Sequence, residues 1–556
     1  MNPKMEYNRL LKLILLLLVG WGTAVAPARA QDSPVTPAFE DANFSTGFLA
    51  PRLGRERITG QAWGDYNQDG WLDLYVTDFG GPNRLYRNNQ DGALSLSPLS
   101  DSVALPNARS GGAQFVDYNN DGWPDLYVMN WGANTLFRND AGQGFTDVTA
   151  EAGVGDTSNG KTASWGDYDN DGFLDLYLAN WSCSPECGRP TEGDRDTLYR
   201  NNGDGTFSDV THLLGTKTRG AGFVATFVDY DNDGDLDIYL INDEFLNPIG
   251  NQLWRNDGPG CDGWCFTNVS VESGADTYVM GMGLATADYN NNGYLDFYFS
   301  NAGPMVLLQN QGDGAFRDVA LEAGVQLPNG IGWGAIFLDY NNDGWQDLYL
   351  AIMESTTGAR MANPLFHNNG DGTFTNLGEA SGAGDKGRTI GVAYADYDQD
   401  GWVDMVIGNF DEGYVLYRNV AGRRSNNNWL TLKLVGAGSV NRDGVGARAT
   451  VTTSSGLVQM QEVKNGSSLG SGDALELHFG LGQATVESVV VRWPDGAMQT
   501  ERRLPTNQRH TINYDPDPEG GNGRPSPLSA TAASVLACVV LLGAGITSWT
   551  RRARLR

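Results

Sequence analysis

The hydrophobic positions of this chain fall in short bursts set between polar loops. Leu74-Tyr75-Val76, Leu126-Tyr127-Val128, Leu176-Tyr177-Leu178 and Ile238-Tyr239-Leu240 are runs of β-branched, aliphatic and aromatic residues that read as strands. Just upstream of the polar loops stand similar runs, such as Ala113-Gln114-Phe115-Val116 and Ala335-Ile336-Phe337-Leu338. The loop between each pair has nine positions: Asp, aromatic, Asn/Asp, x, Asp/Asn, Gly, x, x, Asp. Its seven copies begin at Asp65, Asp117, Asp167, Asp229, Asp288, Asp339 and Asp396. The pattern predicts strand, acidic loop, strand, repeated along the chain.

Positions 1, 3, 5 and 9 carry short oxygen-bearing side chains. They are Asp65, Asn67, Asp69, Asp73; Asp117, Asn119, Asp121, Asp125; Asp167, Asp169, Asp171, Asp175; and Asp229, Asp231, Asp233, Asp237. The remaining three sets are Asp288, Asn290, Asn292, Asp296; Asp339, Asn341, Asp343, Asp347; and Asp396, Asp398, Asp400, Asp404. Hard cations such as Ca²⁺ take six to eight oxygens, and alternate residues of a tight loop can aim at one point. The carbonyl of position 7 can add an oxygen, and the Gly at position 6 permits a turn that a Cβ would block. An EF-hand would need Glu at position 12 and flanking helices, whereas here an Asp at position 9 leads into a strand. One such turn alone would say little, since Asp, Asn and Gly favour turns for conformational reasons. Seven copies with an acid at both ends predict calcium, up to one ion per repeat. The fifth loop, with only Asp288 and Asp296 charged, is the weakest candidate; the fourth has an extra acid, Asp235.

A second element follows each loop: Leu85-Tyr86-Arg87-Asn88, Leu136-Phe137-Arg138-Asn139, Leu198-Tyr199-Arg200-Asn201, Leu253-Trp254-Arg255-Asn256, Leu307-Leu308-Gln309-Asn310, Leu365-Phe366-His367-Asn368 and Leu416-Tyr417-Arg418-Asn419. Several repeats then add a turn and a fourth strand, as at Thr206-Phe207-Ser208-Asp209-Val210. Four short strands per repeat of 50 to 62 residues predict a seven-bladed β-propeller over residues 31–422. The seventh repeat lacks its fourth strand. Ala38-Phe39-Glu40-Asp41 resembles Phe316-Arg317-Asp318-Val319 and is expected to complete it, which removes exposed sheet edges.

The chain ends point outside the cytoplasm. Lys4, Arg9 and Lys12 precede the apolar run Leu13–Val19, and Ala28-Arg29-Ala30 reads as a cleavage site, so residues 1–30 are expected to be a signal peptide. After a Pro/Gly linker (516–529), Ala530 to Trp549 is long and apolar enough for a transmembrane helix, and the basic tail 550–556 would stay cytoplasmic. A cleaved sorting signal has the same layout. In an exported chain the close pairs Cys183/Cys187 and Cys261/Cys265 are expected to be local disulfides, with zinc as the alternative. The net charge of −29 is no acidic tail: 24 of the 67 acidic residues lie in the seven loops. With no basic groove to meet phosphates, nucleic acid is excluded as a partner.

Residues 425–515 read as a second all-β domain, with period-two alternation at Trp429-Leu430-Thr431-Leu432-Lys433-Leu434. Asn426-Asn427-Asn428-Trp429-Leu430, Asn441-Arg442-Asp443-Gly444-Val445-Gly446-Ala447, Leu477-His478-Phe479-Gly480-Leu481-Gly482 and Val491-Arg492-Trp493-Pro494-Asp495-Gly496 resemble an ASPIC/UnbV domain. With the preceding repeats, which resemble FG-GAP (VCBS-type) repeats, residues 38 to 515 are similar to the cartilage acidic protein family. The resemblance implies an extracellular, calcium-binding, matrix- or surface-associated protein without an established catalytic role. Through its repeats the chain is also similar to integrin heads, which implies calcium loops on the underside and partner binding elsewhere.

The expected function is therefore interaction or adhesion at the cell surface, with an extracellular protein or glycan ligand at the top of the propeller. The alternatives are a carbohydrate-active lyase or hydrolase in the central cleft, or a lectin. No nucleophile–base motif stands out among the four histidines, His212, His367, His478 and His510, so no catalytic residue is assigned. His478 is expected to be structural. Trp131 and Trp181 hold matching positions in two repeats and could line one face or pack the core.

Overall fold

The computed structural model describes residues 37–48, 60–181, 195–215, 221–243, 250–261, 263–466 and 468–516. The signal peptide, the linker beyond residue 516, the C-terminal apolar segment, Cys183, Cys187 and Cys538 lie outside the described residues. Among the described residues no helix is long and apolar enough to cross a membrane.

Each of the first six repeats supplies four antiparallel strands that are neighbours in sequence order, and the seventh supplies three. In the third, Gly160–Gly166, Asp175–Asn180, Thr197–Asn201 and Phe207–Asp209 follow one another as neighbours. The acidic loop joins the first two strands, and its ninth residue opens the second strand in all seven copies. The last sheet is completed from the N-terminus: Phe39–Asp41 pairs antiparallel with Gly413–Asn419, Phe39 opposite Asn419. The expected closure is thus observed.

Two contacts repeat around the seams between sheets. The asparagine of the L-x-R-N strand donates its Nδ2 to the carbonyl of the loop tyrosine one blade earlier, at 2.8 Å in all seven cases. The series runs from Asn139→Tyr66 O to Asn419→Tyr340 O, and Asn88→Tyr397 O joins the first repeat to the last. At six seams the tyrosine ring meets a phenylalanine of the next blade's outer strand, as in Tyr66–Phe145 and Tyr118–Phe207, whereas at the seventh Tyr397 stacks on Trp63 of the first blade. At the closing blade that phenylalanine is Phe39, against Tyr340. A ring of sheets with these repeating contacts is a β-propeller-like fold.

The C-terminal domain is built from a three-stranded and a four-stranded sheet over residues 428–513. Its buried side chains, among them Leu430, Leu432, Val489, Val491 and Trp493, form one cluster with Val116, Trp165 and Leu176 of the second and third repeats. Cys261 and Cys265 form a disulfide in the outer hairpin of the fourth repeat, Gln252–Gly260 with Gly263–Asn268.

Candidate metal centres and the two faces of the ring

In each acidic loop the backbone is turned by the loop's own side chains. In the third, Asp167 accepts from Asp171 N (3.0 Å) and Gly172 N (2.8 Å), while Asp171 Oδ1 accepts from Phe173 N (3.0 Å). Asp175 Oδ1 accepts from Asn201 N at 2.8 Å, which ties the loop to the L-x-R-N strand. Gly172 has φ +92°, a conformation in which a side chain would be strained.

Three loops gather three carboxylates, with one oxygen of each within 4.8 Å of the others: Asp167/Asp169/Asp175, Asp229/Asp231/Asp237 and Asp396/Asp398/Asp404. These are the loops with Asp at position 3. Asn67, Asn119, Asn290 and Asn341 hold that position in the other four, so fewer charges converge there. Position 5 is engaged within the protein. One of its oxygens braces the turn, and the other faces an arginine in three repeats: Arg87–Asp69, Arg200–Asp171 and Arg418–Asp400. In the sixth repeat His367 replaces that arginine and bonds Asp347 at 3.0 Å.

The loop acids are poorly compensated by the protein itself. Among the described residues, Asp73 Oδ2, Asp125 Oδ2, Asp229 Oδ1, Asp296 Oδ2 and Asp396 Oδ1 are buried and accept no hydrogen bond. Burial pushes the carboxyls of Asp73 and Asp117 up to about 8, and neighbouring aspartates add to the rise. Asp125, Asp167, Asp175, Asp237, Asp296, Asp396 and Asp404 are raised as well, chiefly by burial. Oxygen-only donors, buried and short of partners, suit a hard divalent cation.

Position 4, which carried no signal in the sequence, links the loops into a circle. Its Asn or Gln has positive φ in every copy, from Gln68 to Gln399. The side-chain amide reaches the next loop: Asn120 to Gly172 O (2.7 Å), Asn232 to Gly293 O (3.0 Å), Asn342 to Gly401 O (2.8 Å) and, across the closure, Gln399 to Gly70 O (2.6 Å). Asn170 departs by bonding the side chain of Asp235 at 2.9 Å. That extra acid of the fourth loop therefore faces its neighbour's amide.

The loop face is covered by the C-terminal domain. Arg448 and Arg492 converge on Asp229, and Arg448 also holds buried Glu462 at 2.8 Å. Asp443 accepts from Asp117 N at 2.8 Å, and Arg509 donates to Gly70 O at 2.8 Å. His478 is buried between Thr431 Oγ1 (3.1 Å) and Asn342 Oδ1 (2.7 Å), with its pKa pushed down to about 4 by burial. A structural role for it was expected; its place at the domain seam was not. A cavity of about 420 Å³ lined by Asp65, Lys433, Arg442, Asp443 and Glu476 remains between the domains.

From the same domain a segment runs into the middle of the ring. Asn465 O accepts from Trp165 N at 2.8 Å, and its Nδ2 donates to Phe115 O at 2.8 Å. Ser468 N donates to Leu284 O (2.7 Å), and Ala474 N to Tyr394 O (3.1 Å). Ser471–Gly472 adds a short parallel strand to Gln61–Gly64. Inner strands of the first, second, third, fifth and seventh repeats are thus bonded by residues 465–474. A propeller's innermost strands are open edges, and this segment satisfies them. Gly466 (φ +105°) lies so close that a Cβ there would stand 2.3 Å from Ala163 O.

A family model for the FG-GAP-like repeat matches residues 65–128, 117–178, 188–240, 288–350 and 339–407, and the ASPIC and UnbV model matches 437–519. The chain belongs to the FG-GAP-like repeat family, with an ASPIC and UnbV domain at its C-terminal end. This FG-GAP repeat protein is 25% identical over 390 residues to human cartilage acidic protein 1 and 26% over 377 residues to the mouse protein. Each match spans 58% of the relative's own length and 58% or 56% of this chain. Among solved structures it is similar to BBS1N in complex with ARL6DN, at a TM-score of 0.42 and 10% identity over 69% of this chain and 98% of that one.

Proposed function

We propose that the FG-GAP repeat protein is an exported, surface-anchored, calcium-braced module for binding an extracellular protein or glycan, and not an enzyme. The observation that carries this reading is the asymmetry of the ring. One face holds carboxylate clusters whose buried oxygens lack partners, and it is capped by the ASPIC/UnbV domain. Calcium at Asp167, Asp169 and Asp175, and at the equivalent acids of the fourth and seventh loops, would neutralise these groups and stiffen the seams. Among the described residues, the C-terminal domain covers the loop face and not the opposite one, which is the face proposed to meet a partner.

A catalytic cleft on the axis finds less support, because residues 465–474 fill the middle from the loop side and bond the inner strands. The resemblance to cartilage acidic proteins and the basic-tailed apolar segment support display outside the cell. An array of glycans and matrix proteins, probed with the intact protein in calcium and then in chelator, tests the reading. Calcium-dependent capture of one ligand class is expected. Turnover of an arrayed glycan with no retained binding would refute it.

A further inference from the structure

At the ends of the strands away from the acidic loops, side chains from five repeats form a continuous aromatic row. Phe79 meets Trp131 at 4.9 Å between ring centroids, Trp131 meets Trp181 at 6.4 Å, Trp181 meets Phe223 at 6.0 Å, and Phe223 meets Trp333 at 5.7 Å. Phe223 belongs to the fourth repeat and Trp333 to the sixth, so the row passes directly between repeats that are not sequence neighbours. Phe79, Trp131, Trp181 and Trp333 are partly exposed. Trp131 and Trp181 therefore line a shared face and are not simply core.

Two cations are set into this row. Lys161 Nζ lies 4.0 Å from the Trp131 ring and 4.9 Å from Trp181, and Arg109 lies 4.8 Å from Phe79 and 5.5 Å from Trp131. Lys161 is 4% exposed, yet among the described residues no carboxylate or other acceptor bonds its ammonium. Burial alone pulls its pKa down to about 7. Among the described residues, the indole N–H of Trp131 and of Trp333 is buried without an acceptor. Trp181 alone has its N–H satisfied, by Asp243 at 3.0 Å. The row is thus rich in donors and positive charge and short of acceptors, on a chain whose net charge is −29. A desolvated positive charge without a counter-charge is costly, and an anionic ligand offsets part of that cost.

We propose that this aromatic row binds an acidic oligosaccharide, with sugar faces stacked on Trp131 and Trp181 and a carboxylate or sulfate drawn to Lys161 and Arg109. Partly exposed indoles present the flat apolar surface that a pyranose ring covers with its C–H faces. The cations discriminate against neutral sugars. The proposal rests on the interaction reading above and names its face and ligand class.

The test uses the intact protein in calcium, with chondroitin sulfate and oligogalacturonate fragments as probes, and neutral dextran oligosaccharide and poly-L-glutamate for comparison. Both acidic glycans are expected to quench tryptophan fluorescence and to bind at least tenfold more tightly than either comparison polymer. Trp131→Ala, Lys161→Met and Arg109→Gln should each weaken binding about tenfold, whereas Trp264→Ala, in the outer hairpin of the fourth repeat, should not. Melting curves identify any variant that fails to fold, and the exposed Arg109 is the substitution least prone to that. Equal binding of poly-L-glutamate, or affinity untouched by Arg109→Gln and Trp131→Ala, overturns the proposal. A protein ligand captured on the array by all these variants would leave the interaction reading standing and remove this site. A folded protein that captures nothing on the array removes both.

Discussion

Asn88 Nδ2 donates to Tyr397 O at 2.8 Å, although 309 residues separate them in sequence. The same amide reaches Leu72 O at 3.1 Å, its backbone N–H bonds Asp73 at 2.8 Å, and its Oδ1 accepts from Gln90 N at 3.0 Å. One buried side chain therefore joins its own loop, its own turn and the loop of the last blade. Six other asparagines do the same between sequence neighbours, but Asn88 acts where the ring closes.

Asn88→Ala removes three side-chain hydrogen bonds and leaves two buried carbonyls without a donor. Each orphaned group costs about 1–3 kcal/mol, so a loss of roughly 3 kcal/mol is expected in urea unfolding. Asn88→Asp should be no better, because it keeps the acceptor but sets a second carboxylate beside Asp73. A change below about 0.5 kcal/mol in both variants would show that the closing seam is not held by this amide.

Removing residues 31–46 deletes the strand Phe39–Asp41, the Phe39 contact with Tyr340 and the Glu40–Arg423 ion pair. An open edge along Gly413–Asn419 should then invite aggregation and proteolysis near residues 413–420, far from the new N-terminus. A truncated protein that stays monomeric and resists protease in that segment would contradict closure by this strand.

Calcium should raise the melting temperature and excess chelator lower it by several degrees, with Mg²⁺ a poor substitute. Each site at a hundredfold excess of ion over its Kd would add about 2.7 kcal/mol to the folded state. Asp169→Asn should reduce the number of ions bound in equilibrium dialysis, since it takes one carboxylate from a three-acid cluster. Asn292→Ala should change the ion count less, because only Asp288 and Asp296 bring charge to the fifth loop. The reverse order would show that charge does not rank these sites.

Arg448→Met should loosen the C-terminal domain. It leaves Glu462 and Asp229 buried without that guanidinium, and breaking a buried pair in this way costs about 3–5 kcal/mol. Gly466→Ala should act on the same docking by steric means, since its Cβ would collide with Ala163 O. Amide exchange in residues 464–474 is the readout. Unchanged protection in both variants would mean that the segment is held by neither contact.

Local chemistry was enough to reveal the blades. Asp65, Gly70 and Asp73 sit at fixed spacing because a turn between paired strands needs them there, so seven strand–loop–strand units could be read directly. The closing role of Phe39 was also legible, because its neighbours resemble Phe316-Arg317-Asp318-Val319. Position 4 was not legible: Gln68 and Asn120 vary in type, and their amides matter only once the next loop lies beside them. Nor could the chain reveal that residues 465–474 enter the ring, that Arg448 reaches Asp229, or that Lys161 is buried beneath Trp131. Those contacts join residues 30 to more than 400 positions apart, and their energy depends on desolvation and close approach that exist only in the assembled ring. Periodicity and spacing determined which units form and which side chains could meet a cation; tertiary packing decided which face is covered and which cations are left without a counter-charge.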